Sequence, residues 1–180
     1  AVDIPIFSRD TAIDAPHNLF ADASAAWAEA EGDGHAAGAR DLGLRFSDEV
    51  PQGAVPGRFT SLRYRATRVE WVYDADQEAY RRLVDGQPHL DALTSESILA
   101  SNVVILYARH RETDIVESVA ADGTNFYSLD IDLVGSGDAL LLRDGSAYPI
   151  TWRRSSLGDV LHFVDSDGVP AAFHPGTIWF

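Results

Sequence analysis

His89 and Asp91 stand two residues apart, and on an extended strand that spacing turns both side chains to one face. An imidazole held by a carboxylate is a general base with its orienter, and the same two groups are metal ligands when a third comes from elsewhere. Pro88 just before them points to an edge or a turn, where a solvated histidine is equally at home. A second constellation is Arg9, His17 and Asn18, the last two at the start of a helix expected over residues 18–31. Unpaired N–H groups and the helix dipole favour an anion there, although Asn18 as a plain cap with His17 packed beside it accounts for the same residues. Arg63 and Arg65 share a strand face opposite Leu62 and Tyr64 and could grip a carboxylate or an acidic sugar through forked guanidinium donors. The plainer reading is a solvated face neutralised by neighbouring acids. The expected ligand-binding residues are thus Arg9, His17, Asn18, Arg63 and Arg65, and the catalytic candidates His17, His89 and Asp91.

Other chemistries fail on spacing. His110 and His162 lie on or near strands with no partner close in sequence, and His174-Pro175-Gly176 has the look of a turn. Neither His-Glu-x-x-His nor any other zinc spacing occurs. Asp165-Ser166-Asp167-Gly168 echoes the start of a calcium loop, and Asp130 and Asp132 share a strand face, but the later Glu is missing and a hairpin turn explains Asp167-Gly168. No metal and no cofactor are therefore expected. Gly135-Ser136-Gly137 is not Gly-x-Ser-x-Gly, and chemistry of the Ser-x-x-Lys type is impossible in a chain without Lys. Paired carboxylates for glycoside hydrolysis stay open, because 28 acids allow many pairs. Trp71, Trp152 and Trp179 could stack on sugars, and core packing explains them as well.

The charge balance narrows the partners. All 14 basic residues are Arg, against 28 acids, for a formal net charge of −14 over 180 residues. Such a field repels phosphate backbones and anionic lipid surfaces, so neither nucleic acid nor a membrane surface is an expected partner. There is no Cys, hence no disulfide and no thiolate nucleophile. Nothing approaches the ~18 to 20 apolar residues of a spanning helix, so this segment is not expected to insert into a membrane. With no Met even at position 1, the chain is expected to be a processed product or fragment lacking any signal or lipid-anchor segment.

The elements that would position these residues are mostly strands. Leu19, Ala23, Trp27 and Ala30 have helical spacing, with Asn18 as cap and Gly32 as terminator. Residues 32–41 and 51–57 are expected as loops around a strand at Leu42–Phe46. From Ser61 onward the period is two, with a phase change near Thr67-Arg68 that demands a bulge or a break. Val103–Tyr107 is an unbroken apolar run suited to a central strand. Asp76–Val84 is ambiguous and is assigned to strand on the alternation of Tyr80, Arg82 and Val84. Tyr127, Leu129, Ile131 and Leu133 alternate with polar residues, and short strands follow at 139–143, 148–152, 161–164, 171–173 and 177–179. The Asp-Gly pairs at 85, 122, 144 and 167 suit tight turns. The fold class is α+β, predominantly antiparallel sheet as a sandwich or curved barrel-like sheet, with one clear N-terminal helix.

In order along the chain stand Ala-Pro-His-Asn-Leu at 15–19, Tyr73-Asp74, Tyr80-Arg81, Gly86-Gln-Pro-His89-x-Asp91, Ser101-Asn-Val-Val104, Gly135-Ser-Gly137, Asp144-Gly145, Thr151-Trp-Arg153, and Asp167-Gly168 leading to Pro175-Gly-Thr-Ile-Trp179. The ordered set resembles the YerB-like bacterial lipoprotein family, whose domains have no assigned function. The resemblance implies an extracytoplasmic, cell-envelope protein, lipid-anchored in full length or secreted. Residues 1–60 would be the end of the family's N-terminal region and 61–180 its β-rich C-terminal domain, forming one compact unit with the upstream half as partner. A non-catalytic binding or interaction module is expected, with a cell-wall glycan or an envelope protein as outer partner. The alternative is a cell-wall or polysaccharide hydrolase whose site the upstream half completes. A fold begun upstream would also leave apolar surface open on the first helix or on a sheet edge.

Overall fold

A computed structural model describes residues 6–14, 18–35, 42–64 and 66–180. His17 and Arg65 lie outside the described residues. The chain divides into two compact units, residues 1–41 and 42–180.

In the first unit β1 (Phe7–Arg9) pairs antiparallel with β2 (Leu19–Ala21), which leads into α1 (Ala23–Gly32). The helix starts later than the expected 18–31, because Leu19–Ala21 are held extended by their ladder to β1. Its cap is therefore Asp22 rather than Asn18, and the Asp22 carboxylate accepts from Ser24 N at 2.9 Å and Ala25 N at 3.0 Å. Asp33, not Gly32, takes the C-cap, its N–H donating to Glu29 O at 2.9 Å. No residue of α1 is buried, and Trp27 is 63% exposed.

The second unit opens with β3 (Arg45–Phe46), the last two residues of the strand expected at 42–46, and β4 (Val55–Pro56), a short strand inside the segment 51–57 expected as a loop. A meander follows: β5 (Phe59–Arg63), β6 (Arg68–Asp74), β7 (Ala79–Val84), β8 (Gln87–Pro88) and β9 (Leu99–Ala100). The phase change near Thr67 is a break, where Tyr64 N–H donates to Thr67 O at 2.8 Å and the chain reverses. Asp76–Val84 divides into a turn and strand β7, in keeping with its alternation. Next come β10 (Asn102–Leu106), β11 (Arg109–Val119), β12 (Asn125–Asp132), β13 (Gly135–Arg143), β14 (Ser146–Arg154), β15 (His162–Val164), β16 (Ala172–Phe173) and β17 (Ile178–Trp179).

These strands build a six-stranded sheet, β15-β14-β13-β10-β17 with β4 on β14, and a five-stranded sheet, β5-β6-β7-β8 with β9 on β7. β11 and β12 form a separate long hairpin, and β16 pairs with β3. Pairing is antiparallel except for β10–β17 and β16–β3. Val103–Leu106 of β10 are all apolar, and both faces of the strand are covered. Val104 packs with Leu141, Tyr148, Trp152 and Phe173 on one side. Val103 and Ile105 pack with Leu142, Trp71 and Tyr80 on the other, where the five-stranded sheet lies. At Asp85-Gly86 and Asp144-Gly145 both residues have positive φ, as a two-residue hairpin turn requires. Among the described residues the architecture is the expected one: α+β, mostly antiparallel, with a single helix near the N-terminus.

Buried polar groups tie distant segments of this unit together. Arg143, fully buried, donates from Nε to Asp144 Oδ2 at 2.5 Å and from Nη1 to Ala172 O at 2.9 Å. Asn102, also fully buried, donates to His174 O and accepts from His174 N–H, both at 2.8 Å. The Tyr80 hydroxyl donates toward Gly57 O at 3.0 Å and Ser146 O at 3.2 Å.

Candidate functional site

Between the hairpin end of β5–β6 and the C-terminal end of β10 the second unit carries a groove of about 430 Å³. Its walls are largely aliphatic, with Leu62, Val69, Val103 and Ile105 from the two sheets and Ile131 and Leu133 from the base of the β11–β12 hairpin. Strand alternation in β7 sends Tyr80, Arg82 and Val84 to the inner face, so the groove acquires a cation. The Arg82 guanidinium carbon lies 5.0 Å from the Trp179 ring centre and 6.0 Å from that of Trp71. The two indoles meet edge to face at 5.4 Å. Attraction to the ring faces offsets part of the lost hydration.

The guanidinium is only partly satisfied. Arg82 Nη1 contacts His89 Nδ1, while Nε is buried with no hydrogen-bond partner. Burial pushes the Arg82 pKa down, and nearby Tyr64 opposes that shift. Arg63 and His110 also line the groove, and no Asp or Glu side chain does so among the described residues. The segment 58–82 holds six of the 14 Arg but four of the 28 acids, which makes it a locally basic stretch in an acidic chain.

The residues singled out from sequence fall in several places. Arg9 Nη1 donates to Asn18 Oδ1 at 2.7 Å in the first unit, so those two are brought together. The helix N–H groups meant for an anion there are taken by Asp22. In the second unit His89 stands beside Arg82, its N–H donating to Arg82 O at 3.0 Å. Asp91 instead orders a turn, accepting from Thr94 N at 2.8 Å and Leu93 N at 2.9 Å, and these donors, Thr94 foremost, hold its carboxyl below the usual range. His174 Nε2 lies 3.8 Å from Asp144 Oδ1. Asp165 Oδ1 accepts from Asp167 N at 3.0 Å and Val169 N at 2.9 Å, as in an ordinary turn, and Asp130 pairs with Arg111 at 2.5 Å. Among the described residues no three His, Asp or Glu gather as a metal site. Gly137 has a packing role, since a Cβ there would sit 2.6 Å from Trp152 Nε1.

Arg82 was not among the sequence candidates. Its signal was an arginine in the apolar phase of an alternating strand, between Tyr80 and Val84. Chemically, a guanidinium stays protonated near neutral pH and neither gives nor takes protons there. Set in apolar walls with an unpaired donor, it suits recognition of an anion.

A family model for the C-terminal domain of DUF3048, a protein of unknown function, matches residues 60–180. The chain belongs to the DUF3048 family. Every residue named as lining the groove lies inside that match. The DUF3048 chain is also similar to a crystal structure of the YerB protein from Bacillus subtilis, with a TM-score of 0.69 and 24% identity. The likeness covers 97% of this chain and 55% of that protein, so this DUF3048 chain spans just over half its length. It establishes a common fold and agrees with the YerB-like resemblance in the sequence. No curated protein matches the chain.

Proposed function

We propose that this DUF3048 domain is a non-catalytic binding module of the bacterial cell envelope that receives part of its partner in the Arg82 groove. The observation that carries it is a half-buried guanidinium with a buried, unpaired Nε, set against Trp71 and Trp179 in an aliphatic groove that no Asp or Glu side chain lines among the described residues. The extracytoplasmic address, lipid-anchored in the full-length protein or secreted, rests on the YerB-like resemblance. Aliphatic walls favour a protein segment over a cell-wall glycan, whose hydroxyls would find few partners there. The upstream half of the same protein is a second partner, and the exposed Trp27 on α1 gives it apolar surface to cover.

The test compares the purified chain with Arg82→Met for retention on isolated cell-wall sacculi and on solubilised envelope proteins. Retention on envelope protein that the substitution abolishes is the expected result. Equal retention of both forms, or none by either, overturns the proposal. Release of soluble sugar or peptide from the sacculi would replace it with the hydrolase.

A further inference from the structure

β11 and β12 pair with each other and with no other described strand. Facing residues of an antiparallel pair share a side, so the register sorts this hairpin into two faces. One face is polar: Arg109 opposes Asp132, Arg111 pairs with Asp130 at 2.5 Å, and the Thr113 and Ser128 hydroxyls lie 2.7 Å apart. On the other, His110 opposes Ile131, Glu112 opposes Leu129, Val116 opposes Tyr127, and Val119 opposes Asn125. The extra residues at both register shifts belong to β11, so Asn125, Tyr127, Leu129 and Ile131 keep one phase along β12. Tyr127 is half-buried, but Val116, Val119, Leu129 and Ile131 are 44%, 60%, 60% and 46% exposed. A two-stranded hairpin is at best marginally stable by itself in water, and an exposed ion pair such as Arg111–Asp130 adds little. A row of aliphatic side chains left in water forgoes the burial that would hold the hairpin, and such a row is what a binding surface carries.

Charge selects the occupant. Residues 112–124 contain Glu112, Asp114, Glu117 and Asp122, and no Arg, Lys or His. None of these four acids forms an ion pair among the described residues. We infer that the apolar face of the β11–β12 hairpin docks a segment of another protein whose apolar side chains are flanked by Lys or Arg. The apolar side chains cover Val116, Val119 and Leu129, and the cations meet Glu112, Asp114 and Glu117. From Asn125 to Ile131 the face is about 20 Å long, which about 13 residues of helix or about six of extended chain would span. A second copy of this chain would set the same acids against each other at −14 per copy, and an anionic lipid surface is repelled in the same way. The inference goes beyond the groove reading and stands on Val116 and Leu129, which do not line the groove.

A displayed library of random linear peptides, selected on the whole 180-residue wild-type chain alone, tests this. Enriched peptides are then titrated against wild type, Val116→Thr, Leu129→Thr and the double variant Glu112→Gln/Glu117→Gln. Threonine suits an exposed strand position, so the hairpin is kept while the apolar contact is lost. The enriched peptides are expected to combine Lys or Arg with apolar residues and to bind Leu129→Thr roughly tenfold more weakly than wild type. The double charge variant should lose roughly threefold and show a shallower salt dependence. Asp48→Asn/Glu49→Gln removes the same charge from the segment after β3 and should bind as wild type does. Equal losses in the two charge variants would mean general attraction to an acidic chain and overturn the inference. Enriched peptides without a cation, no enrichment at all, or binding indifferent to both threonine variants overturn it too. If a threonine variant loses the hairpin, judged by amide exchange, wild-type exchange with and without peptide replaces it, and protection must concentrate within residues 110–131. A dimer in sedimentation that Leu129→Thr dissociates would make a second copy the occupant, and vesicle binding that it abolishes would make it a lipid surface. Either result overturns the inference.

Discussion

Arg82 holds a charge where the surrounding side chains are apolar, and such a residue serves binding at the expense of stability. Its buried Nε has no hydrogen-bond partner, a deficit of about 1–3 kcal/mol for a buried donor. Arg82→Met keeps the stem, removes the deficit, and is expected to leave the urea midpoint unchanged or raised while ligand affinity falls. Tyr80 behaves oppositely. Its hydroxyl bonds Gly57 and Ser146 carbonyls, and Tyr80→Phe should cost about 1–3 kcal/mol at neutral pH by denaturant unfolding. Burial foremost, then the charges of Tyr73 and Asp144, raises the Tyr80 pKa well above its ordinary 10.0. A raised folded-state pKa means the stabilisation is complete below pH 10 and is lost as pH climbs beyond it. Tyr80→Phe should therefore unfold less steeply above pH 10 than wild type does. Equal alkaline slopes would contradict the burial of that phenol.

The elements differ in how far local sequence commits them. α1 owes its start to Asp22, and Asp22→Ala should destabilise it by about 1 kcal/mol, read as faster amide exchange at Ser24 and Ala25. If those amides exchange unchanged, the cap is not what holds the first turn. Leu19, Ala23, Trp27 and Ala30 had the spacing of a longer helix, but the ladder from Phe7–Arg9 to Leu19–Ala21 overrode that preference. The hairpins were more legible. At Asp144-Gly145 both residues need positive φ, and a Cβ on Gly145 would also press 2.9 Å from the Tyr73 ring, so two independent constraints select glycine. Alternation in β7 and β12, and the apolar run Val103–Leu106 of β10, were visible because side-chain phase follows directly from extended backbone.

At the scale of the molecule the dominant quantity is a formal charge of −14. Like charges spread over a small surface repel one another, and salt screens them within ~8–10 Å at physiological strength. Thermal stability is thus expected to rise from low salt to ~0.15 M NaCl, measured as the melting temperature. A fall would mean that ion pairs such as Arg81–Asp74 and Arg111–Asp130 outweigh the repulsion. Both sheets of the second unit share the β10 core, and Arg143 and Asn102 fix the C-terminal segment to it through Ala172 and His174. These ties lay beyond sequence reasoning, since nothing local distinguishes a buried Arg143 from a solvated one.

The sequence by itself determined the class of fold: strand periodicity, Asp-Gly turns and one short helical stretch are local properties, set by backbone sterics over a few residues. It also placed Arg63 and His89 among residues of interest, without saying that one lines a groove and the other stands against a cation. Tertiary structure alone decided that Trp179 of β17 would lie against Arg82 of β7 and its cross-strand neighbour Trp71 of β6. That meeting depends on β17 crossing back to pair with β10 and on two sheets packing face to face. Contacts between segments so far apart are selected by the burial of the whole core, and no window of neighbouring residues contains them.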